Sequence, residues 1–242
     1  MSKNFDVIVV GGGIIGLSCA YYLSQEGKKI LLLEKGEIGE GASTSCDDMI
    51  FLQSKKPGIL LTIALESLAM YEKLATDLPI DIEFKSRGGM VLIESEAQLS
   101  HMQDFVTQQQ ALGLEVELLD QKQVKKQSPM VSSHVLASTY SSRDSQVNPL
   151  NVMRGLTKEA THHGLIIKRN SPVIALNSSR PYHWKVTTAD GETYESEFVV
   201  NAAGAWATKI ADLTGLKVPI RPKRGQIAVT EAVPSFGKTN FW

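Results

Sequence analysis

A glycine-rich turn, GGGIIG at residues 11–16, constrains this chain more than any other stretch. Phe5 to Val10 (FDVIVV) runs into it, and such a β-branched run suits a strand buried on both faces. Gly11, Gly13 and Gly16 fit the G-x-G-x-x-G pattern. Gly11 permits a tight turn off the strand, Gly13 lets backbone N–H groups approach a pyrophosphate, and Gly16 lets helix and strand pack closely. Ile14 to Gln25 then reads as a helix, with Ile15, Ala20, Tyr22 and Leu23 placed to face a sheet. A second apolar strand, Lys29 to Leu33, ends on Glu34, eighteen residues beyond Gly16. That is near the spacing of about 20 expected of a ribose-binding carboxylate. A glycine-rich turn alone often binds nothing; strand, glycines, helix, second strand and terminal acid in this order predict a dinucleotide. Glu34 would accept hydrogen bonds from a ribose diol and repel a 2′-phosphate. The pattern leaves open which dinucleotide is bound.

Composition narrows the class. The chain has 242 residues, 43% of them hydrophobic and 21% charged, with a formal net charge of −1. Nothing in that balance calls for a nucleic-acid or anionic-membrane partner. Two cysteines, Cys19 and Cys46, argue against a disulfide framework and fit a reducing compartment. Val7 to Ala20 is apolar, but its three consecutive glycines and the preceding Asp6 argue against a signal peptide. No apolar run approaches the roughly 18 residues of a membrane span, so a soluble, cytoplasmic protein is expected.

Along the chain, Gly36 to Asp48 is a loop of small and hydroxyl residues suited to close approach by a phosphate-bearing ligand. A helix is expected through about Thr76, with Leu60, Ala64, Leu68, Tyr71, Leu74 and Ala75 on its apolar face. Strands at Asp81–Lys85 and Gly89–Glu94, a helix at Glu96–Leu112, a strand at Leu114–Leu119, a short helix capped by Asp120 and a strand at Val135–Ser141 follow. Asn148 to Gly164 returns to helix. Strands then run to Val200, those on either side of Ala189-Asp190-Gly191 forming a hairpin. FVVNAAGAWATKIADLTG, Phe198 to Gly215, is a second strand–small-turn–helix unit, and Val218 to Thr230 reads as extended. The expected fold class is α/β. A Rossmann-like dinucleotide domain comes from residues 1–78 and 146–216, and a strand-rich α+β substrate domain from 79–145 and 217–242. His162-His163 lies near a helix end with no acid or cysteine at ligand spacing, so no metal site is expected.

Several separated motifs agree on one family. GGGIIG with Glu34-Lys35, the Gly41-Ala42-Ser43 loop, NAAGAW at Asn201–Trp206 and RPKRGQ at Arg221–Gln226 together resemble the FAD-dependent D-amino-acid oxidase family. The group includes glycine and sarcosine oxidases. Cys46 to Gly58 is most similar to the flavoprotein subunits of proline- and hydroxyproline-type dehydrogenases. The resemblance implies that Gly11, Gly13, Ile14 and Gly16 hold the FAD pyrophosphate and that Glu34 and Lys35 flank the adenosine ribose. Gly41, Ala42, Ser43 and Thr44 would run along the pyrophosphate and ribityl chain, and Val173 would contact the adenine through its backbone. Ala203, Gly204 and Trp206 would lie beside the cofactor, with Ser45 to Met49 approaching the flavin ring.

The implied chemistry is oxidation of a carbon–nitrogen bond in an amino acid or secondary amine, with hydride passing to the flavin. No His, Cys or Lys is required as nucleophile, and the resemblance assigns no catalytic side chain. Cys46, Asp47 and Asp48 could touch substrate or flavin, or the two acids could form a turn or helix cap; Asp48 stands where relatives commonly have a small residue. Family members run on beyond the position of Trp242, so the expectation is a C-terminally truncated product, or a chain completed by other subunits of a heteromeric dehydrogenase. Such a chain would hold FAD poorly and turn over little. Two other readings are a non-catalytic FAD-binding fragment and a nicotinamide-dependent reductase; the Gly41–Ser45 loop and the RPKRGQ segment argue against the latter.

Overall fold

A computed structural model of the chain describes residues 3–231 and 239–241. Residues 1–2, 232–238 and 242, which fall within the two expected domains, lie outside the described residues. In chain order the elements are β1 (Asn4–Val10), α1 (Ile14–Gln25), β2 (Ile30–Leu33), β3 (Met49–Ile50), α2 (Ile59–Asp77) and β4 (Gly89–Ile93). Next come α3 (Glu96–Ala111), β5 (Glu117–Asp120), α4 (Gln121–Gln127), β6 (Ala137–Ser141), β7 (Ser145–Gln146) and α5 (Pro149–His162). The chain continues with β8 (Ile166–Lys168), β9 (Val173–Arg180), β10 (His183–Thr188), β11 (Thr193–Asn201), a 3₁₀ turn at Gly204–Trp206, α6 (Ala207–Asp212) and β12 (Asn240–Phe241). The mixed α/β class is as expected.

The residues group into two compact units. One comprises Met1–Asp47, Leu78–Ile80 and Pro149–Ala228; the other comprises Asp48–Asp77, Asp81–Asn148 and Val229–Trp242. The boundary expected near residue 78 therefore differs for residues 48–77. Their helix α2 sits in the second unit because Leu61 and Leu68 pack with Val106, Leu114 and Val116.

In the first unit a six-stranded sheet runs β8-β2-β1-β11-β10-β9. β8, β2, β1 and β11 are parallel; β10 turns back antiparallel to β11 through the hairpin at Ala189–Gly191, and β9 pairs antiparallel with β10. All four β2 residues are buried, as a strand covered on both faces demands. Ile8, Val10, Leu31 and Leu33 pack with Leu176, Val186 and Tyr194 in one cluster. Helix α1 buries Gly16, Leu17, Ala20, Tyr21 and Ser24. Ala20 is buried as expected, but the rest of the stripe is shifted by one residue from Ile15, Tyr22 and Leu23: Ile15 is 64% exposed. The close approach at Gly16, which only a glycine allows, sets which side of α1 meets the sheet.

In the second unit β12-β4-β6-β5 form one sheet and β3-β7 a short ribbon. The α2 face is centred on Leu61, Leu68 and Leu74, while Leu60 is 56% exposed. No strand forms at 81–85; only Lys85 bridges to Gln146. Glu83 has φ +56 and donates its N–H to Asp81 Oδ1, a side-chain turn that takes the place of a ladder. β5 starts at Glu117 rather than Leu114, and residues 218–230 carry no strand. Pro219 and Pro222 remove ladder donors from that last segment. Asp120 caps α4 in a reciprocal capping box with Gln123.

A buried polar network organises this second unit. Asp144, fully buried, accepts from Leu52 N–H at 2.7 Å and from Gln53 Nε2 at 2.6 Å. Gln53 also donates to Gly89 O and accepts from Thr139, and Gln109 donates to the carbonyls of Gln53 and Lys55. A Cβ on Gly89 would meet Asp144 at 2.4 Å and Phe51 at 2.5 Å, so only glycine fits. Burial raises the Asp144 carboxyl above its ordinary value, opposed by these hydrogen bonds.

Candidate functional site

Three loops meet where the parallel strands of the first unit end: Gly11–Gly13 after β1, Glu34–Thr44 after β2, and Asn201–Trp206 after β11. β1 lies between β2, to which it connects through α1 on one side, and β11, which the chain reaches on the other side only later, so the strand order reverses at β1. That is the switch point where open α/β sheets bind ligands. Gly11 has φ +114, and a Cβ there would lie 2.4 Å from Ala202 O. Its N–H bonds Leu33 O while Ala202 N–H bonds Val10 O, each at 2.9 Å. A Cβ on Gly16 would sit 1.9 Å from Gly11 O. Both glycines therefore play the steric roles their spacing predicts.

The second loop locks onto the first. Gly13 precedes α1 without a side-chain cap, and the Ile14 N–H donates instead to Ser43 Oγ at 2.9 Å. Gly39 N–H bonds Gly12 O, and Thr44 Oγ1 bonds Gly39 O. The Glu34 carboxylate accepts from Gly12 N–H at 2.6 Å through Oε2 and from Gly36 N–H at 2.9 Å through Oε1. Each oxygen keeps acceptor capacity for a diol. Gly41 and Ala42 are exposed, so this loop offers its backbone to a ligand.

Lys35 Nζ stands 3.1 Å from the centre of the Trp206 ring, and a Cβ on Gly41 would be 3.9 Å from that ring. Asn201 pins the third loop: its Oδ1 accepts from Ala203 N–H and its Nδ2 donates to Ala207 O. Gly204 has φ +52 and open space where a Cβ would stand. Val173 begins β9, half-buried against the sheet core. The segment just before it runs beside Glu34, with Glu34 N–H to Lys168 O and Ser171 N–H to Glu34 O. Arg169 also pairs with Glu37 at 2.6 Å. Met49 belongs to the second unit, where it pairs with Gln146 in the β3-β7 ribbon. Cys46 donates through its Sγ to Ser43 O, and both cysteines are free thiols.

The donor set fits a dinucleotide. A helix N-terminus and small-residue loops offer backbone N–H groups to phosphates, and a carboxylate closes the neighbouring strand. The sequence matches the FAD dependent oxidoreductase (DAO) family over residues 6–240. The chain belongs to that family. It is 32% identical over 232 residues to a glycine oxidase of Bacillus licheniformis, covering 93% of this chain and 61% of that protein. The fold superposes on the crystal structure of glycine oxidase from Geobacillus kaustophilus with a TM-score of 0.84 and 26% identity, over 91% of this chain and 61% of the other. It also matches L-proline dehydrogenase from P. horikoshii, TM-score 0.81, covering 90% of this chain and 57% of that one. At 22% identity that likeness concerns the fold alone.

Sequence reasoning misses three positioning interactions. The expectation for Ser43 is a ligand contact, not the N-terminus of α1; the Asn201 bonds and the Lys35–Trp206 contact depend on a pairing of loops that spacing does not encode. One expectation is corrected. An acid does stand at ligand spacing from His162 and His163: Glu159, three and four residues upstream, lies 3.7 and 3.2 Å from them.

Proposed function

We propose that this protein is an FAD-dependent oxidoreductase that oxidises the C–N bond of an amino acid or secondary amine of the glycine, sarcosine, proline or hydroxyproline type. The observation that carries this reading is the cradle at the strand ends, where Gly11, Gly16, Glu34 and Ser43 interlock in a chain of the DAO family. FAD bound there would supply the hydride acceptor. The chain's own residues bind and orient. N–H groups at the start of α1 other than that of Ile14, which Ser43 Oγ takes, would bind the pyrophosphate, with the Ser43 hydroxyl beside them. Glu34 receives the adenosine ribose, and its charge disfavours a 2′-phosphate, which separates this reading from an NADP-type reductase. The Gly41–Thr44 loop and the Ala203–Trp206 turn would flank the cofactor. Further subunits of a heteromeric dehydrogenase are the partners this reading allows. The test is a screen of amino acids and secondary amines against the FAD-loaded protein with an artificial electron-acceptor dye. Dye reduction by a member of the named group supports the reading; no reduction by any amine, or reduction by NADH alone, contradicts it.

A further inference from the structure

The geometry points to a divalent-metal site at the C-terminus of α5, built from Glu159, His162 and His163. Their ligand atoms all lie within 4.8 Å of one another. Glu159 Oε1 is 3.7 Å from His162 Nδ1 and 3.2 Å from His163 Nε2. A tetrahedral ion with bonds of about 2.0–2.2 Å holds neighbouring donors roughly 3.3–3.6 Å apart; the two Glu159 separations lie near that spacing, and the His162–His163 pair, within 4.8 Å, closes on the ion by side-chain rotation.

The backbone fixes the donors in place. Gly164 has φ +94, Gly164 N–H bonds Thr161 O, and Leu165 N–H bonds Ala160 O. This paired arrangement ends the helix at a defined residue and sets both histidines in or next to its last turn. The partial negative charge of a helix C-terminus favours a cation there. Two imidazoles and one carboxylate select a borderline ion of the zinc, cobalt, nickel or copper class over magnesium or calcium, which prefer oxygen donors. His162 is the most exposed of the three and Glu159 the least, which leaves water to complete the coordination.

The site is separate from the cofactor cradle. β8 starts just after it, and the far end of β8, Lys168 to Asn170, is the part that lies beside Glu34 to Gly36. The ion therefore clamps the α5–β8 turn at the opposite end of the strand from the cofactor loops, and it takes no part in redox chemistry.

The experiment is calorimetric titration of zinc chloride into tag-free, chelator-stripped protein, with thermal unfolding followed in parallel. One zinc per chain and a raised Tm are expected. Glu159→Gln, His162→Gln and His163→Gln should each weaken binding about tenfold or more with an unchanged circular dichroism spectrum. Excess magnesium should not compete, and Cys46→Ser should bind as tightly as the native chain. Absence of saturable zinc binding, native-like affinity in any of the three variants, or loss of binding in Cys46→Ser would overturn the site.

Discussion

Gly16 and Gly41 sit in neighbouring parts of one site and predict opposite responses to the same change. A methyl at Gly16 meets the Gly11 carbonyl at 1.9 Å, a backbone atom that cannot give way without moving β1 or α1. Gly16→Ala should cost about 3 kcal/mol in urea unfolding despite the better helix propensity of alanine. Gly41→Ala meets only the Trp206 ring at 3.9 Å and should stay within about 0.5 kcal/mol of the native chain. Glu34 carries a second, internal duty. Glu34→Ala leaves the Gly12 and Gly36 N–H groups without their acceptors, so a loss of about 1–3 kcal/mol is expected even with no ligand present. Equal stability of Glu34→Ala and native protein, measured by thermal or urea unfolding, would show that the carboxylate does not organise the loop.

At the scale of elements, the Gln53–Asp144 network joins the 51–55 segment to β4, β6 and α3, and none of it could be read from the sequence. Its partners are 91 residues apart, and an Asp after a strand reads equally well as a turn. Local chemistry was legible wherever one short stretch decided the outcome: the β1–turn–α1–β2 run, the Asp120 cap and the Ala189–Gly191 hairpin. It failed where a distant contact set the orientation, as with the rotation of α1 around Gly16 and the placing of α2 against α3. Burial raises the Asp144 pKa, so between 3.8 and that raised value the folded chain binds more proton at this group than the unfolded chain does. The stability this group contributes is present below its unfolded value of 3.8 and is lost as pH rises through the folded value. Asp144→Asn should remove that part of the pH dependence. It should also destabilise the protein by about 2 kcal/mol, since its amide would turn a donor towards Gln53 Nε2. Stability measured across that pH range in both proteins, with slopes that coincide, would contradict the assignment.

For the molecule as a whole, the sequence carried the family through four separated motifs, and the structure explains why they travel together. Three of them, the glycine turn, the Gly41–Ser43 loop and the Asn201–Trp206 turn, are loops of one cradle, brought side by side by the parallel order β2-β1-β11. The fourth, Arg221–Gln226, lies in an exposed segment without strand structure. The chain spans 61% of the length of the Bacillus licheniformis glycine oxidase it matches. On the proposed reading, FAD recognition by this chain resides in the AMP half of the cofactor. Titration of the 242-residue protein with FAD, followed by flavin fluorescence and competed with ADP or FMN, tests this most directly. Saturable one-to-one binding is expected, which ADP displaces, FMN does not, and Glu34→Ala weakens about tenfold. Displacement by FMN as effective as by ADP, or no saturable binding at all, would contradict it.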